Sequence, residues 1–177
     1  MKKIVLTYGI ISGVILGVLL ALTAPLWQNG TITFENGMFF GFTSMILGFS
    51  LIYFALASFK KNNGSLSFKQ GLTMGLLITV IGCLMYAAVW MVLYETMFSD
   101  FSTKYTAYMT EQINASSKTA AQKAKEIDAI TKDFAMYDSN ALYRFGLTFM
   151  EPSIVGVLIT LIATLILKTK RKEPVVA

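Results

Sequence analysis

Charge is almost absent from three long stretches of this chain. Between Lys3 and Lys60 the one charged residue is Glu35; between Lys69 and Glu95 there is none, and between Glu151 and Lys168 again none. A backbone that crosses a hydrocarbon core must satisfy its amides internally, which leaves helices or closed barrels. The runs are continuously apolar and lack the alternation of barrel strands, so they specify helices. A core about 30 Å thick takes roughly 20 helical residues. Stretches 4–27, 38–59, 71–94 and 145–167 reach that length. The expected fold is an all-α integral membrane domain over 1–177, a four-transmembrane-helix antiparallel bundle. Short connections at 28–37 and 60–70 make spans that are consecutive in sequence antiparallel neighbours in space.

Composition narrows the chemistry. The 55% hydrophobic and 14% charged content departs from the roughly 25% charge of soluble domains. The chain has no histidine and one cysteine, Cys83, inside an apolar run. That excludes intrachain disulfides, CxxC redox chemistry, Cys/His zinc sites and histidine-based acid/base or triad mechanisms. The net charge of +5 sits beside apolar runs and does not form a patch interleaved with aromatics. It therefore reads as a topology signal, and no nucleic-acid partner is expected. The apolar run from Ile4 to Pro25 exceeds the ~7–15 residues of a signal-peptide core, and Leu22-Thr23-Ala24 before Pro25 is a poor cleavage site. It is read as a retained first span.

Orientation follows from the flanking bases. A cytoplasmic N-terminus puts Lys2, Lys3, Lys60, Lys61, Lys69, Lys168, Lys170, Arg171 and Lys172 inside, against the single acid Glu173. The opposite side then carries −3 and the inside +8. The positive-inside rule thus places both termini in the cytoplasm.

The polar stretch 96–143 is the one large exposed part. Phe98, Phe101, Tyr105, Tyr108, Met109 and Ile113 recur every three or four residues, the spacing of an amphipathic helix. After a turn at Asn114-Ala115-Ser116-Ser117, a second helix runs through Ala120, Ala124, Ile127 and Phe134. Thr119 and Gln122 form its capping box, and Asp128 with Lys132 an i,i+4 pair. An amphipathic helical hairpin between the third and fourth spans is expected, capping the bundle or offering a partner surface. Asn114-Ala115-Ser116 also matches a glycosylation sequon, a pattern too short to carry weight.

Within lipid, small residues let helices approach closely. Gly9, Gly13 and Gly17 form a four-residue ridge in the first span. Gly37, Gly41, Ser44 and Gly48 do so in the second, Gly71, Gly75, Thr79 and Cys83 in the third, and Gly156, Thr160 and Thr164 in the fourth. Two uses are open for the first ridge: packing within one bundle, or a homodimer seam.

Several clusters resemble one bacterial membrane family, the domain of unknown function 4199. Ser44-Met45-Ile46 and Ser50-Leu51-Ile52 are similar to its second helix. Gly64, Ser67-Phe68 and Gly75-Leu76 resemble its glycine-containing turn and following helix, and Tyr86 with Trp90 its aromatic pair. Glu151, Val155-Gly156 and Lys170-Arg171-Lys172 resemble its terminal segment. Lys60-Lys61 departs from a usual Tyr-Arg pair, and Ile154 from a common proline. The resemblance implies a four-helix inner-membrane protein and no reaction.

Glu151 is the side chain most in need of explanation. The sixteen uncharged residues after it span about 24 Å, too short for a hydrocarbon core. The fourth span therefore extends back through Glu151, and Pro152 leaves the Thr148 carbonyl without its helical donor. An intramembrane acid points to function. The competing reading makes Glu151 an interfacial helix-start residue, with Pro152 at the first helical position. Glu95 closes the third span on the same side, so the two acids are candidates to share a proton or cation. Trp27, Trp90, Tyr94 and Tyr53 read as interfacial or packing aromatics, and Cys83 as a packing residue.

No GxSxG elbow, P-loop, dinucleotide fingerprint or acid cluster is present. No enzyme activity, cofactor or metal is expected. The leading expectation is a structural or interaction protein of the cell envelope, binding the bilayer and either an envelope protein or further copies of itself. The alternative is a small oligomeric transporter or channel using Glu151 with Glu95.

Overall fold

The computed structural model describes residues 1–169. The basic tail Lys170-Arg171-Lys172 and Glu173, counted above with the cytoplasmic side, lie outside the described residues. Among those described there is no strand. Four helical stretches are long and apolar enough to cross a membrane: Lys2–Gln28, Gly37–Asn63, Phe68–Met97 and Ala141–Leu167.

The first is α1 (Lys2–Gln28). The second divides at Ser50 into α2 (Gly37–Phe49) and α3 (Leu51–Asn63). There the Tyr53 amide bonds the Ser50 carbonyl three residues back, and the Ser50 hydroxyl donates to the Leu47 carbonyl. Such a tightened turn beside Gly48 is a common origin of a helix break. Gly64 then ends α3 in the left-handed conformation that a residue without a β-carbon adopts freely.

The third crossing, α4 (Phe68–Met97), starts on a capping box between Ser67 and Gln70. Its thirty residues reach about 45 Å, longer than a hydrocarbon core about 30 Å thick. Next come α5 (Phe101–Ala115) and α6 (Ala120–Ser139), which pack on each other. The expected Thr119–Gln122 box caps α6, and Lys132 pairs with Asp128 at 2.6 Å. The final helix, α7 (Ala141–Leu167), is capped by Asn140, whose side chain accepts from the Leu142 and Tyr143 amides. It runs through Pro152 without ending. Glu151 is therefore ten residues inside a helix, which overturns the helix-start reading.

The seams correct one expectation. The largest contact surfaces join α1 to α4 and α4 to α7, while α3 touches α4 lightly, so the second and third spans are not main neighbours despite their short connection. The small-residue ridges explain why. A β-carbon built on Gly9 would lie 2.8 Å from Ile81 Cδ1, one on Gly13 2.9 Å from Met85 Cβ, and one on Gly17 2.9 Å from Val89 Cγ2. The residue numbers rise together, so α1 and α4 run the same way. Across α4 and α7 the pairs are Gly71 with Thr164, Gly75 with Thr160 and Thr79 with Gly156, in opposite sense. Each glycine receives a threonine side chain from the facing helix. The Ser12 hydroxyl ties α1 to α2 by donating to the Gly48 carbonyl at 2.7 Å.

Away from these seams, Val14, Val18 and Leu22 on α1 and Ile154, Leu158 and Ile162 on α7 stay exposed, each series one turn apart. Such stripes suit lipid, where apolar side chains lose nothing by facing outward. One end of the bundle carries Lys2, Lys3, Lys60, Lys61, Lys69 and Lys168; α5 and α6 lie at the other. At the basic end the Thr169 amide bonds the Leu66 carbonyl at 2.8 Å and its hydroxyl accepts from the Leu66 amide at 2.9 Å, joining the α3–α4 turn to the end of α7.

Because the Gly13 contact lies inside one chain, Gly13→Ile is expected to reduce the yield of folded monomer. Size-exclusion chromatography with light scattering would check this; a well-folded monomer replacing a wild-type dimer would show that the ridge serves a homodimer.

Candidate functional site

The basic half of the bundle is closed by a continuous apolar core including Leu16, Met45, Phe49, Ile52, Met74 and Ile78. The acidic half is not closed. There the crossing helices, the α1–α2 loop, α5 and α6 enclose a cavity of about 760 Å³, a size typical of small-molecule sites.

The walls come from every layer. From α1 come Leu20, Thr23 and Trp27; from α2, Gly41 and Ser44; from α4, Tyr86 and Trp90. The roof is the apolar face of α5, with Phe101, Tyr105, Tyr108 and Met109, joined by Phe134 and Tyr137 of α6. Leu147, Thr148 and Glu151 complete it from α7. Glu35 and Glu151 are the charged lining residues. The amphipathic spacing read in the sequence thus turns the aromatics of α5 inward, over the bundle end.

Phe34 sets the roof in place. Its ring lies 5.2 Å from Trp27, 5.3 Å from Tyr105 and 5.3 Å from Tyr108, distances at which aromatic pairs attract. The loop presenting it is well bonded. Ile32 is buried with its amide on the Leu26 carbonyl, and the Asn36 side chain bridges the Thr31 carbonyl and the Thr33 amide. Gly37 lets the Trp27 indole approach the backbone closely, since a β-carbon there would sit 2.6 Å from Trp27 Cζ2.

A directed hydrogen-bond chain ties this roof to α4 and α7. Trp90 Nε1 donates to the Tyr137 hydroxyl at 2.6 Å, and Thr148 Oγ1 donates to the Arg144 carbonyl at 2.9 Å. Tyr137 is left to donate to Thr148, 3.4 Å away. Each group both gives and accepts, which strengthens such chains. Burial is the largest cause that raises the Tyr137 pKa above the usual phenol range, against its hydrogen-bond contacts with Thr148 and Trp90, which lower it. Tyr105 is raised first by burial, then by Tyr108 and Glu151. Both hydroxyls therefore stay protonated at neutral pH.

Arg144, just beyond the polar stretch 96–143, is buried, its side chain 4% exposed. Its guanidinium donates to the Tyr137 carbonyl at 3.1 Å and the Asp138 carbonyl at 3.2 Å, and pairs with Glu95 at 2.5 Å. It also lies 4.1 Å from the Tyr94 ring centroid. Tyr94 in turn donates to the Asp138 carboxylate and contacts the Ser102 hydroxyl at 3.0 Å. This clasp joins α4, α5, α6 and α7 at the side of the cavity. No local signal marks it, because its members lie up to 49 residues apart.

The expected site residues divide accordingly. Glu151, Tyr86, Trp90 and Ser44 line the cavity. Glu95 does not: it belongs to Arg144, so the two acids are not brought together as a pair. Among the described residues neither Glu151 nor Glu35 has an ion-pair or hydrogen-bond partner. Met45 and Cys83 are core residues, Phe68 opens α4, and Gly9, Gly13, Gly17, Gly71, Gly75 and Gly156 occupy the seams. Tyr53 stays partly exposed on α3, and Trp27, Trp90 and Tyr94 belong to the aromatic assembly.

A family model described as "Protein of unknown function (DUF4199)" matches residues 7–169, and the chain belongs to that family. No curated protein and no solved structure matches it.

Proposed function

We propose that this DUF4199 member is a non-enzymatic membrane protein of the bacterial cell envelope whose task is binding. In this reading the four crossings form an up-and-down antiparallel bundle in the inner membrane, with both termini cytoplasmic. The helical hairpin α5–α6 stands on the extracytoplasmic side, where it shelters a small amphiphilic molecule. The partner of the hairpin's apolar face is then a small molecule; contacts with an envelope protein or another copy fall to its polar face.

The observation that carries the reading is the aromatic cavity itself. Elsewhere the helices meet through glycine and threonine with little free space, whereas here large rings hold about 760 Å³ open. The lining side chains Met38, Phe42 and Leu147 are exposed. They mark a lateral mouth between α2 and α7, which suits a molecule arriving from the outer leaflet.

Both tryptophans of the chain, Trp27 and Trp90, line the cavity, so intrinsic fluorescence reports on it directly. A brominated neutral amphiphile, 11-bromoundecanol, is expected to quench the protein saturably in maltoside micelles. Ser44→Phe, which fills the cavity, should reduce that quenching severalfold. Equal quenching of both proteins would mean that the probe reaches the indoles from the micelle and would reject the reading.

A second reading, a small transporter, is favoured by one observation: Glu151 reaches the cavity from within a crossing helix. It requires a route through the packed basic half. Solute flux into proteoliposomes, lost in Glu151→Gln, would establish it.

A further inference from the structure

The charge of the lining narrows the occupant. No lysine or arginine contributes to the cavity wall, while Glu151 and Glu35 do. The nearest guanidinium on α7, Arg144, lies two turns from Glu151, roughly 10 Å along the axis. It is already committed to Glu95 and the end of α6.

The remaining wall is unusually rich in π faces. Tyr86, Trp90, Tyr105 and Tyr137 come from three different helices around Glu151. Cations are attracted to such faces, most strongly where water is excluded. A carboxylate without a partner among the described residues and a wall of aromatic rings form a cage suited to a cation. Anions find no counter-charge in it, whereas a cation meets both Glu151 and the aromatic rings.

We propose that the chamber binds an organic monocation, a substituted amine or quaternary ammonium on an apolar body, with Glu151 as its counter-charge. This rests on the binding reading above. A zwitterionic lipid headgroup fits less well, since its phosphate would enter a wall without a basic side chain.

The test follows the quenching of Trp27 and Trp90 in maltoside micelles by (4-bromobenzyl)trimethylammonium, its neutral carbon isostere 4-bromoneopentylbenzene, and 4-bromobenzenesulfonate. The cation is expected to bind at least tenfold more tightly than either. Glu151→Gln should bring it within about twofold of the isostere, and Glu151→Asp should keep most of the preference. Short-chain phosphatidylethanolamine should fail to displace it.

Equal binding of cation and isostere in the wild type overturns the cation proposal and leaves the chamber standing. So does a preference that survives Glu151→Gln, or displacement by phosphatidylethanolamine as effective as by the free cation. Quenching by none of the three probes removes the chamber reading and this one with it. Should Glu151→Gln fail to fold, the wild-type selectivity and Glu151→Asp still decide the matter.

Discussion

Gly75→Leu is expected to destabilise the bundle by at least about 3 kcal/mol, and so to remove most folded protein from detergent extracts. The reason is space. A β-carbon at this position would already lie 2.6 Å from Thr160 Oγ1, and the leucine adds three more carbons to the same gap. Thr160 is fully buried and cannot turn outward without dragging α7 from α4. Separating these helices also opens the Gly71–Thr164 and Thr79–Gly156 contacts, so the cost spreads along the seam. Gly146→Ala provides the control. Nothing lies within 4 Å of a β-carbon built there, and alanine is the better helix former, so stability should hold or rise by up to about 1 kcal/mol. Thr160→Val should also be tolerated, because its hydroxyl is buried without a partner among the described residues and contributes shape alone. Thermal unfolding in maltoside micelles, followed by helical circular dichroism, would rank these variants. A Gly75→Leu protein that melts with the wild type would show that the seam is not as close as described.

Arg144→Met should cost about 3 kcal/mol. Methionine retains much of the apolar stem but abandons the Tyr137 and Asp138 carbonyls. These belong to the last turn of α6, where no helical amide can reach them and where a positive charge is favoured by the helix dipole. The stacking on Tyr94 is lost as well. These terms overlap and do not add in full. The asymmetry of the ion pair gives the sharper test. Glu95 is 68% exposed, so water replaces Arg144 around it, and Glu95→Gln should cost less than about 1 kcal/mol. Arg144→Lys should fall between, since an ammonium cannot present the same planar fork. Equal losses in Arg144→Met and Glu95→Gln would mean that the ion pair, and not the clasp on α6, holds this corner together.

How much of this was legible in the sequence depends on how local each feature is. The capping box at Thr119, the Asp128–Lys132 pair and the inward stripe of α5 are set within four residues, and each can be read from spacing. The length argument at Glu151 also succeeded, because bilayer thickness is an external ruler: α7 does run back through it. That ruler could not distinguish a helix start from a helix interior, which the Asn140 cap decided. The glycine ridges were visible, but their partners were not, since a four-residue spacing defines a face without naming what faces it. Arg144 was the plainest miss. Its environment assembles from Glu95, Tyr94, Tyr137 and Asp138, and a charge count treats a buried arginine and a solvated one alike.

The sequence by itself determined that this chain has four helical stretches apolar enough to cross a membrane, because hydropathy and the need for internal amide bonding act along contiguous chain. The tertiary structure alone decided that α4 lies between α1 and α7, that Arg144 clasps α6, and that twenty-three residues from six helices and two connecting segments line one cavity. Close packing and cavity shape depend on which faces meet, and that is settled between segments far apart in sequence. Glu151 joins the two levels: its place on a crossing helix follows from length, and its place on the chamber wall from packing.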